Sequence, residues 1–216
     1  MEIIKQESII NFMNYLELPR VFIQQKKELT EILINWETKN KYVLEDDKKQ
    51  TLGFIKEEAG GFTGHMLRFF LRSHRPLKIQ ILNHDGQLNF VLTRPFFWFF
   101  STLTLCDSQQ KKIGVVERRF SFFSKKYEIF DHFHSFIAKV HSPVWKIWQF
   151  PIKDKMDHQV GLIAKKWGGF LKESFTDADR FMVEYGVAES WPKEKKALLL
   201  AAAISIDFDF FENNDS

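Results

Sequence analysis

Residues 193–212 read KEKKALLLAAAISIDFDFFE, and the reading of this stretch decides the rest. It opens with charge, is apolar on every side from Ala197 to Ile206, and closes with Asp and Phe interleaved. A helix carrying Leu198, Leu199, Leu200, Ile204 and Ile206 around its whole circumference has no face for water. It belongs inside a protein core or inside a membrane. The apolar run is about half of the roughly 20 residues that cross a bilayer. Lengthening it through Phe211 would put Asp207 and Asp209 in hydrocarbon at a few kcal/mol each. The expectation is a helix over about residues 193–206 threaded through the middle of a protein, with a single membrane span as the alternative. Asp207 and Asp209 are then expected to be exposed where the helix emerges.

What surrounds such a helix is read from the remaining chain. From Asn40 onward the sequence alternates through Tyr42 and Leu44, turns at residues 45–50 and resumes at Leu52 and Phe54. That is a β-hairpin pattern. Residues 75–94 repeat it around Asp85-Gly86, a strong hairpin cue. Residues 124–142 and 144–167 repeat the layout again. Four such units favour an antiparallel, mainly β architecture over α/β. A closed barrel leaves no long edge bare, and its bore would hold the greasy helix. Residues 1–20 read as a short helical extension, with Ile3, Ile4, Ile9, Ile10, Phe12, Met13 and Leu16 at rough helical spacing before Pro19. Residues 21–216 read as a single barrel domain.

Composition sets the limits. With 44% hydrophobic residues, 24 Phe among them, and 27% charged, the 216-residue chain has ample core material and is neither disordered nor an integral bundle. The net charge of +3 permits contact with anionic lipid without demanding it, and nucleic acid is not an expected partner. A single cysteine, Cys106, excludes an intrachain disulfide and a Cys-based zinc cluster and suits a reducing compartment. The first residues show no pattern of a secretory signal. There is no nucleophile elbow, P-loop or dinucleotide fingerprint. His132, His134 and His141 fall close together, and alternation in a strand would put His132 and His134 on one face, but a metal reading from spacing alone is weak.

At residues 172–181 the chain reads Lys-Glu-Ser-Phe-Thr-Asp-Ala-Asp-Arg-Phe, and at 206–212 Ile-Asp-Phe-Asp-Phe-Phe-Glu. Residues 37–42, ETKNKY, and the bracket from Arg75-Pro76-Leu77 to Arg94-Pro95 accompany them. In order and separation these resemble the phospholipid scramblase family, whose corresponding segments read roughly REAFTDADNFGI, IDF-x-FFE, FETNNKY and RPF…ERPL. The resemblance covers about residues 22–212. It implies the tubby-like fold, a closed antiparallel barrel of about twelve strands around a central hydrophobic C-terminal helix. It also implies calcium-dependent, ATP-independent, bidirectional movement of phospholipids between leaflets, and a peripheral place on the cytoplasmic face of a membrane.

The resemblance has departures. The cysteine cluster that animal members carry after the RPL segment is replaced by Phe96, Phe97, Trp98, Phe99 and Phe100. This aromatic run reads either as a buried strand or as a membrane-interface patch, where Trp and Phe partition well. The long Pro-rich arm of such members is not seen. The calcium loop keeps Asp177 and Asp179 at its first and third positions, but has Phe181 at the fifth, Met182 at the sixth and Ala188 at the twelfth. Calcium at Asp177 and Asp179 therefore competes with a plain Asx turn. Basic pairs at 111–112, 118–119, 125–126 and 165–166 would attract anionic headgroups if they converge. Two functions are expected: a scramblase-like protein partnered by anionic phospholipid and by copies of itself, or a non-catalytic tubby-like module that docks on lipid or a protein. A lipid carrier is a weaker third, since the helix would fill the cavity.

Overall fold

The computed structural model describes residues 15–25, 41–58, 74–143, 145–146, 148–166 and 180–210. Twelve antiparallel strands close into one barrel: β1 (Arg20–Gln25), β2 (Lys41–Glu45), β3 (Thr51–Glu57), β4 (Leu77–Asn83), β5 (Leu88–Arg94), β6 (Thr102–Asp107), β7 (Lys112–Arg119), β8 (Ser124–Asp131), β9 (Phe136–Pro143), β10 (Gln149–Lys153), β11 (Gln159–Lys166) and β12 (Arg180–Glu184). Every strand pairs with its sequence neighbours, and β1 closes the ring by pairing with both β2 and β12. A 3₁₀ turn, Gly186–Ser190, then leads into helix α1 (Lys193–Phe210).

The helix lies in the bore. Ala197 to Ile206 are all buried, and Leu199, Leu200, Ala201, Ala202, Ala203 and Ile206 have no solvent exposure at all. Alanine and leucine are strong helix formers, and the alanines let the surrounding strands approach. Pro192 starts the helix by accepting the Lys196 N–H, and Glu194 sits in the first turn, where negative charge suits the dipole. Alternate strand residues such as Ile79, Ile81, Leu92, Leu103, Leu105, Val116, Ile129 and Ile163 meet it from the wall. At Gly114 on β7 an added Cβ would lie 2.9 Å from Leu198 Cδ1 and 2.2 Å from the Phe130 carbonyl oxygen, so glycine is required by close approach.

The barrel has two unlike ends. One carries five short turns, and all use one device. Asp46, Asn83, Asp107, Asp131 and Asp154 each accept the backbone N–H four residues on. The residue three positions on has positive φ: Lys49, Gly86, Gln110, His134 and Asp157. At this end the helix begins, beside buried Tyr15 and Leu16, with Lys193 paired to Glu17. Of the region read as an N-terminal helix, residues 1–14 lie outside the described residues; Tyr15 and Leu16 belong to a 3₁₀ turn packed into the barrel core.

The strand pairing contains the four hairpins read from the sequence and a fifth, β6–β7, that was not. Two further readings are corrected. Residues 95–100 are not a buried strand: β5 ends at Arg94, and Pro95 has no N–H to continue a ladder. His132 and His134 lie in the turn between β8 and β9 rather than side by side on a strand, and no group of three metal-ligating side chains is found among the described residues.

Candidate functional site at the loop end of the barrel

The opposite end carries the longer connections, and it is where α1 terminates. Strand directions place the loops 95–101 and 120–123, and a third loop holding Trp145 and Lys146, together here, because Ser124 pairs with Pro143 and Arg94 pairs with Leu77 across the same rim. In the first loop Phe97 points in. It is buried, its ring lies 5.0 Å from His74, and the Arg94 guanidinium stands 5.2 Å over its face. Phe96 is half-buried and meets Trp98 edge-on at 5.0 Å. Trp98 and Phe99, at 76% and 81% exposed, project into solvent, and Phe100 is also exposed.

A second aromatic loop stands beside the first. Phe120, Phe122 and Phe123 are exposed, the last two at 78% and 74%. Ring contacts run from Phe100 to Phe120 at 6.2 Å, from Phe120 to Phe122 at 4.5 Å and on to Phe123 at 6.4 Å. The two loops thus make one continuous aromatic surface. Trp145, in the third loop, is exposed at the same end.

Beneath the aromatics the rim is basic. By alternation with the inward residues Leu92, Val116, Tyr127 and Ile163, the side chains of Arg94, Arg118, Lys125 and Lys165 face the barrel mouth. Burial first, and then the Arg118 charge, lower the Lys125 pKa from the usual lysine range to about 8. Outside, Arg119 pairs with Glu117 and Glu128 at 2.8 and 2.7 Å, and Lys126 with Glu128 at 3.0 Å. Burial tends to raise the Glu128 pKa, but hydrogen bonds from Lys126 and Arg119 outweigh it and lower it.

Asp209 sits under this rim, and its position overturns the expectation of an exposed helix end. Its carboxylate has no exposure. Arg94 Nη1 and the Tyr127 hydroxyl each donate to it at 2.7 Å, the Ser101 hydroxyl reaches it at 3.5 Å, and Arg118 Nη1 lies 4.0 Å away. Burial first, then the Asp209 charge, hold the Tyr127 phenol far above its ordinary pKa, so it stays a donor. A carboxylate in the last turn opposes the helix dipole; two arginines and a phenol compensate. Asp207 is half-buried, at the edge of a small cleft with Tyr42, Ile55 and Phe181.

Asp177 and Asp179 lie outside the described residues, but the segment from Arg180 to Ala188 does not suit a twelve-residue calcium loop. The fifth, seventh and ninth positions would be Phe181, Val183 and Tyr185, all buried in the barrel core. Positions 180–184 are strand β12, and Ala188 lies in the 3₁₀ turn. The loop that would supply six or more oxygens is occupied by barrel wall.

The scramblase family model matches residues 2–213. The chain belongs to the scramblase family. A phospholipid scramblase family protein of Schizosaccharomyces pombe is 25% identical, across 88% of this scramblase-family chain and 59% of its own length. Phospholipid scramblase 1 of Homo sapiens is 29% identical, across 93% and 65%. Altered inheritance rate of mitochondria protein 25 of Saccharomyces cerevisiae is 23% identical, across 91% and 71%. The chain spans roughly three fifths of the length of the first two. No solved structure gives a significant match.

The sequence pattern singled out the first aromatic loop of this scramblase-family chain and not the second, although the signal is present. Residues 118–126, RRFSFFSKK, place three phenylalanines between two basic pairs. A solvent-facing turn of that composition is not a core strand.

Proposed function

We propose that this chain is a phospholipid scramblase-like protein, working on bilayer phospholipids from the membrane surface and exchanging them between leaflets in both directions without ATP. The observation that carries the reading is the exposed aromatic tip at residues 98–100 over a basic barrel mouth, in a member of the scramblase family. The lack of a P-loop in the sequence supports independence from ATP. Among the described residues no helix is long and apolar enough to cross a membrane, and α1 is enclosed by strands. The proposed route for a headgroup is therefore a bilayer disturbed by docked barrels, several copies acting together. The proposed location is the cytoplasmic face, with a preference for anionic lipid that the basic rim supports.

Calcium has no part in the proposed exchange step, because strand β12 takes up the middle of the template loop. Asp177 and Asp179 remain the two positions proposed for calcium if the activity requires it. The filled bore also weighs against a lipid carrier.

The test is leaflet exchange. The full chain is added to liposomes bearing a fluorescent phospholipid, and the outer leaflet is bleached chemically with and without calcium. Bleaching beyond half of the signal is the expected result. Calcium dependence lost in Asp177→Asn/Asp179→Asn would place the ion there. Bleaching that stops at half, with the protein bound, would overturn the activity. It would leave the second reading, a non-catalytic module that docks on lipid, which the same exposed loop favours.

A further inference from the structure

Among the described residues, ten large hydrophobic side chains are exposed, and seven of them stand at one end of the barrel, on three different loops: Trp98, Phe99, Phe100, Phe120, Phe122, Phe123 and Trp145. The other three, Phe133, Met156 and Val187, stand on three separate turns at the turn end. Scattered exposed hydrophobics are ordinary, whereas a contiguous patch marks an interaction surface. The contacts from Phe100 through Phe120 to Phe122 make this one contiguous.

Resting on the reading of a protein that acts on bilayers, we propose that the second aromatic loop, 120–123, is a membrane-insertion element, and that with 98–100 it docks the barrel loop-end-down on a bilayer carrying anionic phospholipid. Chemistry and shape both select this occupant. The rings project from loop tips, and a bilayer accepts such projections without needing a complementary groove. Phe120, Phe122 and Phe123 are flanked by Arg118-Arg119 on one side and Lys125-Lys126 on the other. Rings at the tip with cations behind them match the depth order of a leaflet, hydrocarbon beneath a layer of phosphates. A second copy presenting the same face would bring these cations against one another.

The loops are also held in place for insertion. The Ser121 and Ser124 hydroxyls meet at 2.5 Å across the base of the second loop. The first is rooted by Phe97 under Arg94, which Asp209 on α1 holds in turn. A surface already ordered loses little freedom on binding. Docked this way, the C-terminal end of α1 and the Arg118–Lys125 rim face the headgroups.

The single cysteine makes the test direct. In full-length protein carrying Cys106→Ser, Phe122→Cys is labelled with an environment-sensitive fluorophore, and Phe133→Cys at the far end is labelled in parallel. Vesicles of phosphatidylcholine with phosphatidylserine should shift the emission at position 122 to the blue and leave position 133 unchanged. High salt and pure phosphatidylcholine should weaken the shift. In cosedimentation, Phe122→Ser/Phe123→Ser should lower vesicle partitioning at least about tenfold, while Phe133→Ser does not. A shift at 133 and not at 122, or at neither while the protein cosediments, overturns the proposal. So does a concentration-dependent shift at 122 without vesicles, which would mean self-association. Docking retained without leaflet exchange overturns the activity instead, and exchange retained in Phe122→Ser/Phe123→Ser with position 122 silent overturns the docking alone.

Discussion

Asp209 shows how one side chain can tie an element to the wall around it. Its carboxylate is fully buried and is held by Arg94 and Tyr127, both at 2.7 Å. Asp209→Ala is expected to destabilise the fold by about 3–5 kcal/mol, because it leaves Arg94 charged and uncompensated inside the protein. The double change Arg94→Met/Asp209→Leu should recover most of that loss, since an apolar pair carries no desolvation cost. Urea unfolding of the three proteins decides it; a single variant within about 1 kcal/mol of the parent would show that the pair is not confined as described. Lys125 gives a pH dependence at the same scale. Burial, with Arg118 nearby, lowers its pKa from 10.5 to about 8. Below pH 8 both folded and unfolded chains hold the proton, and the burial penalty is fully present. Between 8 and 10.5 the unfolded chain binds more protons, so this residue's contribution to stability rises with pH. Stability measured across that window in Lys125→Met should lack this rise.

The turn end is built from one element used five times. An Asp or Asn accepts the backbone N–H four residues on, each Asp also accepts the one two residues on, and the residue three positions on adopts positive φ. Only at Gly86 is that residue a glycine. A side chain in the left-handed region costs on the order of 1 kcal/mol. Gln110, at φ 65°, is an exposed case. Gln110→Gly is expected to raise the thermal midpoint by a few degrees, through about 1 kcal/mol of relieved strain. No gain in calorimetry would mean that the turn already accommodates the side chain without strain. The β6–β7 hairpin, which was not read from the sequence, turns on this same element at Asp107 to Gln110, with no Gly or Pro. The cue was the Asp at its start, shared with Asp46, Asp131 and Asp154.

At the scale of the molecule the barrel and its helix depend on each other. The wall strands alternate apolar residues inward toward a bore that α1 fills. A chain ending at Pro192 would leave that inner face against water, and it is expected to lose the cooperative thermal transition in circular dichroism. A cooperative transition retained near the parent midpoint would show that the wall stands alone. Much of this architecture was legible from sequence because it rests on local periodicity. The all-round apolar run at 197–206 dictates burial, and the alternation in four hairpins dictates paired strands, whatever else the chain does. Their combination into a closed barrel around the helix comes from the need to cover both. Tertiary structure decided the features that depend on groups far apart in the chain. Arg94 and Asp209 are 115 positions apart, and nothing local at either residue announces the pair. The division of residues 96–100 into buried Phe97 and projecting Trp98 and Phe99 depends on what His74 and Arg94 place beneath them. The joining of that loop to 120–123 depends on which strands share a rim. Periodicity is a property of neighbours along the chain and survives in the sequence; a charge partner or a shared surface exists only once closure has brought distant residues together.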